Sequence, residues 1–261
     1  MKILMCRPDY YTIDYEINPW MDKKNQVNHK KALDQWQSLY NAYEKLGVEI
    51  ELIDQVKGLP DMVFTANAGI VKGNTFVSGN FSMKERKDEE KHFQKRFQDQ
   101  GFNVVTLKYF QGGEGDALFY RGQLFMGWGF RSDQKTHQEV SNLLNVPIVG
   151  LHLVDPYFYD FDTTFFPIGD KGFMYYPGAF DEESRSILQG TDGAIEMSKE
   201  QAKGFIGNSV YVKGKLLVSF LDDDLRKKLR LINVEPILLN MGEFKKSGGG
   251  IKCCTLYIDQ D

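Results

Sequence analysis

The chain has 261 residues, of which 42% are hydrophobic and 26% charged, and its formal net charge at pH 7 is −4. This composition supplies a full hydrophobic core and excludes intrinsic disorder. The mixed charges form no basic stripe for nucleic acid, and no run of about 20 apolar residues predicts a membrane span. Because the N-terminal segment lacks the apolar core of a signal peptide, we expect a cytoplasmic protein.

The cysteines and histidines indicate neither disulfides nor a metal. Three cysteines cannot all pair, and two of them, Cys253 and Cys254, are adjacent, which favours free thiols. The four histidines are scattered, with no spacing typical of zinc ligands. We therefore predict no metal site and no cofactor.

A weak internal repeat organises the chain. An N-terminal strand (residues 2–6) and an amphipathic helix (30–46) come first. Four predicted β-hairpins follow, about 40–50 residues apart, centred on the turn glycines Gly73, Gly122, Gly172 and Gly214. The helices predicted after them cover residues 82–100, 132–144, 181–188 and 221–231. A last strand is predicted at 251–258.

The repeated unit is a hairpin, a helix and a strand. If the two terminal strands pair with each other, they supply a fifth unit and close a ring, because closure removes exposed sheet edges. This predicts one α/β domain over residues 1–261, a five-bladed pseudo-symmetric propeller. The repeat alone leaves an ordinary open α/β sheet as the alternative.

The stretch from Gly248 to Thr255 is the first candidate for chemistry. Consecutive glycines let a backbone approach a bound group, and Lys252 would favour a thiolate at Cys253. The alternative is a loop that leads into a buried strand with two small apolar cysteines.

Several stretches, in order, resemble the guanidino-modifying superfamily, the pentein fold of amidinotransferases, arginine deiminases and dimethylarginine dimethylaminohydrolases. They are Gly-Gly-x-x-x-Cys-x-Thr at 248–255, the segments 59–69 and 113–118, and Asp-Phe-Asp-Thr at 160–163. Segments 5–11, 14–21, 84–86 and 176–181 resemble the arginine dihydrolase domain in particular. The resemblance runs from residue 2 to 255 and implies the five-bladed pentein propeller.

The resemblance implies a covalent mechanism. Cys253 corresponds to the nucleophile that attacks the guanidinium carbon, while Cys254 corresponds to a packing residue. Asp162 matches the carboxylate that holds the guanidinium, a planar cation whose donors need acceptors. Asn67 stands where dihydrolases carry asparagine and deiminases aspartate, which favours a dihydrolase.

The resemblance also implies residues that bind the rest of the substrate. Arg86 and Arg131 match basic positions facing the substrate carboxylate, and Asn18 matches a substrate-contacting asparagine. For Arg131, a surface arginine that takes no part in binding is an equally favoured alternative. Glu114 and Asp116 lie in the acidic glycine-rich turn that contacts the guanidinium.

The chain departs from this pattern at Asp160, where the superfamily has a histidine that serves as general acid and base. Such proton transfer typically contributes about 10²–10⁴-fold in rate. Three readings stay open: a carboxyl pair of Asp160 and Asp162 shares a proton, His152 reaches in, or the protein binds its ligand without turnover. The superfamily also has a glutamate at the start of the glycine-rich turn that binds the guanidinium. Here Gln111, Gly112 and Gly113 precede Glu114, so Glu114 has either shifted into that role or lost the contact.

The predicted function is thus a metal-independent hydrolase acting on the C–N bonds of a guanidino or ureido amino acid. The alternative is a catalytically impaired protein that binds an arginine-like ligand on the same fold. The expected partner is this small molecule, not nucleic acid or a membrane. Homo-oligomer formation is left open.

Overall fold

The computed structural model describes residues 1–259, and within them fifteen strands form five three-stranded sheets. The strands are β1 (Lys2–Cys6), β2 (Glu49–Ile53), β3 (Gly69–Lys72), β4 (Thr75–Ser78), β5 (Asn103–Val105), β6 (Ala117–Tyr120), β7 (Gln123–Trp128), β8 (Ile148–His152), β9 (Phe165–Pro167), β10 (Phe173–Tyr175), β11 (Ala194–Glu196), β12 (Val210–Val212), β13 (Lys215–Val218), β14 (Glu235–Leu238) and β15 (Leu256–Tyr257).

All five sheets share one topology. In the second sheet β3 pairs antiparallel with β4, and β5 joins β4 in parallel. The sheets β6-β7-β8, β9-β10-β11 and β12-β13-β14 repeat this arrangement. The five equivalent sheets confirm the predicted pseudo-symmetric α/β architecture.

The remaining sheet contains both ends of the described chain. Strand β1 pairs antiparallel with β15, with Leu4 opposite Leu256, and parallel with β2. The predicted strand 251–258 is wrong in its first half, because residues 251–254 form a hydrogen-bonded turn. Within it, the Cys254 amide donates to the Gly250 carbonyl at 3.2 Å. Cys253 therefore lies on a turn, not on a strand.

Seven α-helices lie within residues 1–259. They are α1 (His29–Lys45), α2 (Glu90–Asp99), α3 (Thr136–Leu144), α4 (Glu182–Gly190), α5 (Lys199–Lys203), α6 (Asp223–Leu231) and α7 (Gly242–Lys245). All five predicted helices are present, although a 3₁₀ turn (Lys84–Glu89) precedes α2 and α3 begins four residues later than predicted. The short helices α5 and α7 were not predicted. None of these helices has the length and apolar character needed to cross a membrane.

The helices bury their apolar faces against the sheets. In the second repeat, for example, Phe97 of α2 stacks on Phe76 of β4 with ring centroids 3.8 Å apart, and both side chains are fully buried. This aromatic stack helps to fix α2 on its own sheet.

Five short turns are linked to one another. Four of them precede the first strand of a hairpin, and the fifth precedes β15. They comprise Thr65–Ala68, Gly113–Gly115, Phe161–Thr163, Ile206–Asn208 and residues 251–254. Hydrogen bonds at or beside these turns link each to the next: Ala66 N to Cys253 O (3.0 Å), Asn67 Nδ2 to Gly112 O (2.9 Å), Phe161 N to Asp116 Oδ1 (3.0 Å), Asn208 Nδ2 to Asp162 O (3.2 Å) and Lys252 N to Asn208 O (3.3 Å). These bonds form a closed circle, which we call the turn ring.

Candidate active site

A buried cavity opens beside the turn ring. Three of its wall residues, Asn67, Asp160 and Cys253, lie in or next to the ring turns. The other polar side chains in its wall are Asn18, Asp61, Arg86, Arg131, Tyr159 and Ser247. The cavity measures about 10 Å³, room for about one water molecule. Its walls must therefore move before a ligand of amino-acid size can enter.

A second cavity of about 10 Å³ shares four of these wall residues. They are Asn67, Arg86, Arg131 and Asp160. The rest of its wall comes from Gly112 and from the segment Phe81 to Met83. Asp160 therefore lies between two small cavities.

The Cys253 thiol is held between two polar side chains. Its sulfur lies 3.2 Å from Asp162 Oδ2, and Asn208 Nδ2 donates to it at 3.0 Å. Burial raises the pKa of the thiol well above its usual value, and the carboxylates of Asp162 and Asp160 raise it further. Without a ligand, the sulfur is therefore held as a thiol.

Three buried aspartates lie close together behind this sulfur. Burial and the neighbouring Asp160 raise the pKa of Asp116 to about 7, and the same two causes raise the pKa of Asp162 well above its usual range. Burial also raises the pKa of Asp160, against the opposing charges of Arg131 and Arg86. Asp160 Oδ1 has no hydrogen-bond partner within residues 1–259. The cluster therefore has an excess of acceptors, which a cationic ligand would satisfy.

Glu114 and Asp116 do not line either cavity. Glu114 Oε2 accepts hydrogen bonds from Lys252 Nζ at 2.8 Å and from the Tyr257 amide at 3.1 Å. Asp116 accepts from Ser132 Oγ at 2.6 Å and from the Phe161 amide at 3.0 Å. The structure thus places both carboxylates behind the wall, where they hold neighbouring turns together.

The expectation that Lys252 favours a Cys253 thiolate is wrong. The Lys252 ammonium bonds to Glu114 and to the Thr255 carbonyl, and both ion-pair partners are buried. Its charge lowers the pKa of Asp162.

The two arginines in the wall differ in how many of their donors are used. Arg86 makes four hydrogen bonds, two to Glu89, one to Asn67 Oδ1 at 2.8 Å and one to the Asp61 carbonyl. Arg131 makes one, to the Ile17 carbonyl at 3.0 Å, and lies over the Tyr159 ring. Since an arginine has five N–H donors, Arg131 has more capacity for a ligand.

Asn18 reaches the cavity from the N-terminal segment. Its Nδ2 donates to the Ser247 carbonyl at 3.0 Å, while its Oδ1 accepts from the Trp20 amide at 2.9 Å. Trp20 Nε1 in turn donates to the Tyr157 carbonyl at 2.7 Å. These bonds hold segment 17–21 over the cavity.

His152 lies elsewhere. Its Nδ1 is 3.0 Å from Asp181 Oδ2, its ring stacks on Trp128 at 3.8 Å, and it lines neither cavity. The reading in which His152 supplies the missing acid and base is therefore contradicted. Within residues 1–259 no cluster of histidine, cysteine and acidic side chains is arranged to hold a metal ion.

Sequence reasoning missed two residues of this site. Asp61 lines the cavity, is 2% exposed, and its Oδ1 has no hydrogen-bond partner within residues 1–259. Asn208 contacts the Cys253 sulfur. A signal existed for Asn208, because it precedes β12 by two residues, just as Asn67 precedes β3.

Comparison with known proteins gives a consistent picture. The family model described as N,N dimethylarginine dimethylhydrolase, eukaryotic, matches residues 7–259. The bifunctional arginine dihydrolase/ornithine cyclodeaminase AgrE of Nostoc sp. is 36% identical over 100% of this chain and 38% of its own length. The N(G),N(G)-dimethylarginine dimethylaminohydrolase of Mycobacterium tuberculosis is 34% identical over 98% of this chain and 85% of its own. The chain thus spans little more than a third of the bifunctional relative.

Solved structures agree. The substrate-bound N-terminal domain of ArgZ, an arginine dihydrolase from cyanobacteria, has 35% identity and a TM-score of 0.95, covering 99% of this chain and 98% of that one. A dimethylarginine dimethylaminohydrolase adduct, at 16% identity and a TM-score of 0.79, shares the fold. These matches confirm the predicted pentein fold.

The close contact at Gly115 gives a first prediction. A methyl group there would lie 2.1 Å from Asn67 Nδ2 and 3.8 Å from Asp160 Cγ. We expect Gly115→Ala to lower the free energy of unfolding by about 1–3 kcal/mol, typical of overpacking, and to displace Asn67. Urea denaturation measures this effect. The matched control is Gly190→Ala, where the added methyl meets no heavy atom of residues 1–259 within 4 Å outside its own helix. Equal effects of the two changes would contradict the close contact.

A second prediction concerns Asp116 and pH. Its pKa is about 7 in the folded state against an ordinary 3.8, so between these values the folded state holds a proton that the unfolded state has released. The stability from this proton is complete below pH 3.8 and is lost as the pH rises to about 7. We expect Asp116→Asn to flatten the decline in the free energy of unfolding over this window. Denaturation curves from pH 4 to 8 test it against exposed Asp170→Asn, and an unchanged slope would refute it.

Proposed function

The chain belongs to the N,N dimethylarginine dimethylhydrolase family, and on that premise we propose that it hydrolyses the guanidino group of L-arginine or a close guanidino or ureido amino acid. The observation that carries the proposal is the Cys253 sulfur, 3.2 Å from the Asp162 carboxyl at the wall of an acceptor-rich cavity. Cysteine supplies the nucleophile, and the aspartates bind the cation.

The charge of the substrate activates the nucleophile. The thiol pKa is high because burial and two carboxylates oppose a second negative charge beside them. A guanidinium bound against Asp160 in the cavity, with Asp162 behind the sulfur, would bring a positive charge next to the sulfur, which lowers the thiol pKa. The thiolate would then form in the presence of the cation it attacks.

The proposed reaction has two halves. The Cys253 sulfur forms a bond to the guanidinium carbon, and one terminal C–N bond breaks. The departing nitrogen takes a proton from the Asp160 carboxyl and leaves as ammonia. Water then attacks the thiouronium carbon and gives one proton to Asp160. The C–S bond breaks to release a ureido product, and the second proton of the water returns to the departing sulfur, which restores the Cys253 thiol. Asp160 can begin as an acid because its burial raises its pKa.

Asn67 supports a second hydrolysis. Its neutral carboxamide lines both cavities and does not require a cationic ligand, so that a neutral ureido group can occupy the same place. Two rounds would convert arginine and two waters into ornithine, carbon dioxide and two molecules of ammonia. We therefore favour an arginine dihydrolase over a one-step deiminase.

The amino-acid end of the substrate would face the opposite wall. We assign its carboxylate to Arg131, since four of the five Arg86 donors are already used. Asp61, whose Oδ1 has no hydrogen-bond partner within residues 1–259, would accept the α-ammonium. Arg86 then holds Asn67 and Glu89 in place, and Asn18 closes the cavity.

The direct test is the release of ammonia, urea and carbon dioxide from L-arginine, citrulline, agmatine and guanidinoacetate. We expect turnover of arginine, a covalent adduct on Cys253 by mass spectrometry, and complete loss of both in Cys253→Ala. The control is Cys254→Ala, which alters a fully buried neighbour outside the cavity wall. Full activity in Cys253→Ala would refute the mechanism. Stabilisation by arginine without turnover or adduct would instead identify a binding protein.

The assignment of Arg131 has its own test. Agmatine has the guanidino group of arginine but no carboxylate. We expect Arg131→Gln to lower kcat/KM for arginine by about 10–100-fold, the loss of one charged hydrogen-bonding contact of about 1.5–3 kcal/mol, and to change agmatine turnover little. Parallel kinetics with the two substrates measure this difference. Equal losses for both would show that Arg131 does not bind the carboxylate.

A further inference from the structure

We propose that Asn208 is a positioning residue that orients the Cys253 sulfur and stabilises its anionic form. The inference rests on the proposed function, in which Cys253 is the nucleophile. Asn208 is fully buried in the fifth repeat, in the turn Ile206–Asn208 that precedes β12.

The carboxamide of Asn208 forms two hydrogen bonds with Cys253. Its Oδ1 accepts from the Cys253 backbone amide at 3.1 Å, and its Nδ2 donates to the Cys253 sulfur at 3.0 Å. Nδ2 also donates to the Asp162 carbonyl at 3.2 Å. Because a backbone amide can only donate and a carbonyl can only accept, these partners fix which end of the carboxamide faces the sulfur.

The surroundings of the sulfur explain why this donor matters. The charged or titratable side chains around it are Asp162, the cavity-wall residues Asp61, Tyr159, Asp160, Arg86 and Arg131, and Lys252, which is ion-paired to Glu114 behind the wall. The nearest of them, Asp162, repels a thiolate when it is ionised. Within residues 1–259, Asn208 alone places a side-chain N–H group within hydrogen-bond distance of the sulfur. A hydrogen bond to the charged form of a group favours that form.

Comparison with Asn67 separates the structural role of Asn208 from its proposed chemical role. Both asparagines precede the first strand of a hairpin by two residues. Each donates through Nδ2 to a backbone carbonyl of a neighbouring turn region, Asn67 to Gly112 and Asn208 to Asp162. That bond belongs to the turn ring. The contact between Asn208 Nδ2 and a sulfur has no counterpart at Asn67, and it is the part that serves the nucleophile.

The test is the rate at which iodoacetamide alkylates Cys253 between pH 6 and 10, followed by peptide mass spectrometry to separate Cys253 from Cys6 and Cys254. Asn208→Asp keeps an oxygen for the Cys253 amide but replaces the N–H donor by an acceptor. We expect the rise in alkylation rate to begin at a pH at least one unit higher than in the unchanged protein. At a given pH on the rising part of the profile, the rate is then at least tenfold lower. Asn208→Ala, which removes the donor without adding charge, should move the profile in the same direction by less.

Matched controls isolate the effect. Asn74→Asp makes the same change of charge in the exposed turn between β3 and β4 and should leave the profile unchanged. Cys253→Ser gives the background labelling. Melting temperatures of all variants report any loss of the turn-ring bond.

The outcomes are distinct. A shifted profile in Asn208→Ala or Asn208→Asp supports the inference, even where the melting temperature also falls. An unchanged profile with a lower melting temperature overturns it and leaves Asn208 a purely structural residue. Alkylation does not require turnover, so a shifted profile in a protein inactive on all four test compounds would reject the proposed function and retain the role of Asn208.

Discussion

The turn ring is the constraint on which the rest of the structure depends. Each of the five repeats contributes one turn, and hydrogen bonds of 2.9–3.3 Å join the turns into a circle. A repeat cannot shift alone, because its turn is bonded to the turns on both sides. The pairing of β1 with β15 has the same effect at the level of the sheets. The site therefore rests on the most constrained part of the fold.

The close approach of the turns in the turn ring also determines the pKa values of the acidic residues in the site. Bringing turns together buries Asp116, Asp160 and Asp162 near one another, and burial raises the pKa of all three. Buried carboxylates with too few donors cost stability, and functional sites are where such costs are retained. A guanidinium supplies both the missing charge and the missing donors. The unliganded cavity is thus unfavourable for the protein alone and complementary to a planar cation.

Much of this was predictable from sequence, and the failures have physical reasons. Turn glycines and helical periodicity located the repeats, and the Gly-rich segment before Cys253 pointed to a cysteine that lines the cavity. The prediction of a strand at 251–258 failed over residues 251–254. The β propensity of these residues gives no sign of the turn that they form, in which the Cys254 amide donates to the Gly250 carbonyl. Glu114 was expected at the guanidinium, yet the buried partner Lys252 holds it behind the wall. Pairings between residues 138 positions apart cannot be read from local patterns.

The pseudo-symmetry also explains how a repetitive scaffold carries an asymmetric reaction. One residue stands three positions before each of the strands β3, β6, β9, β12 and β15. These residues are Ala66, Glu114, Asp162, Gly207 and Cys253. These five positions are equivalent in the repeat, so the difference between a small residue, a carboxylate and a thiol lies in the side chain alone. Two of the five, Asp162 and Cys253, meet at 3.2 Å across the ring. Changing a side chain at such a position alters the chemistry while the ring bonds persist, because none of them uses the side chain of one of these five residues. Asp160 stands directly before the turn Phe161–Thr163, and its side chain makes none of the ring bonds, so a different side chain there would also leave the ring in place.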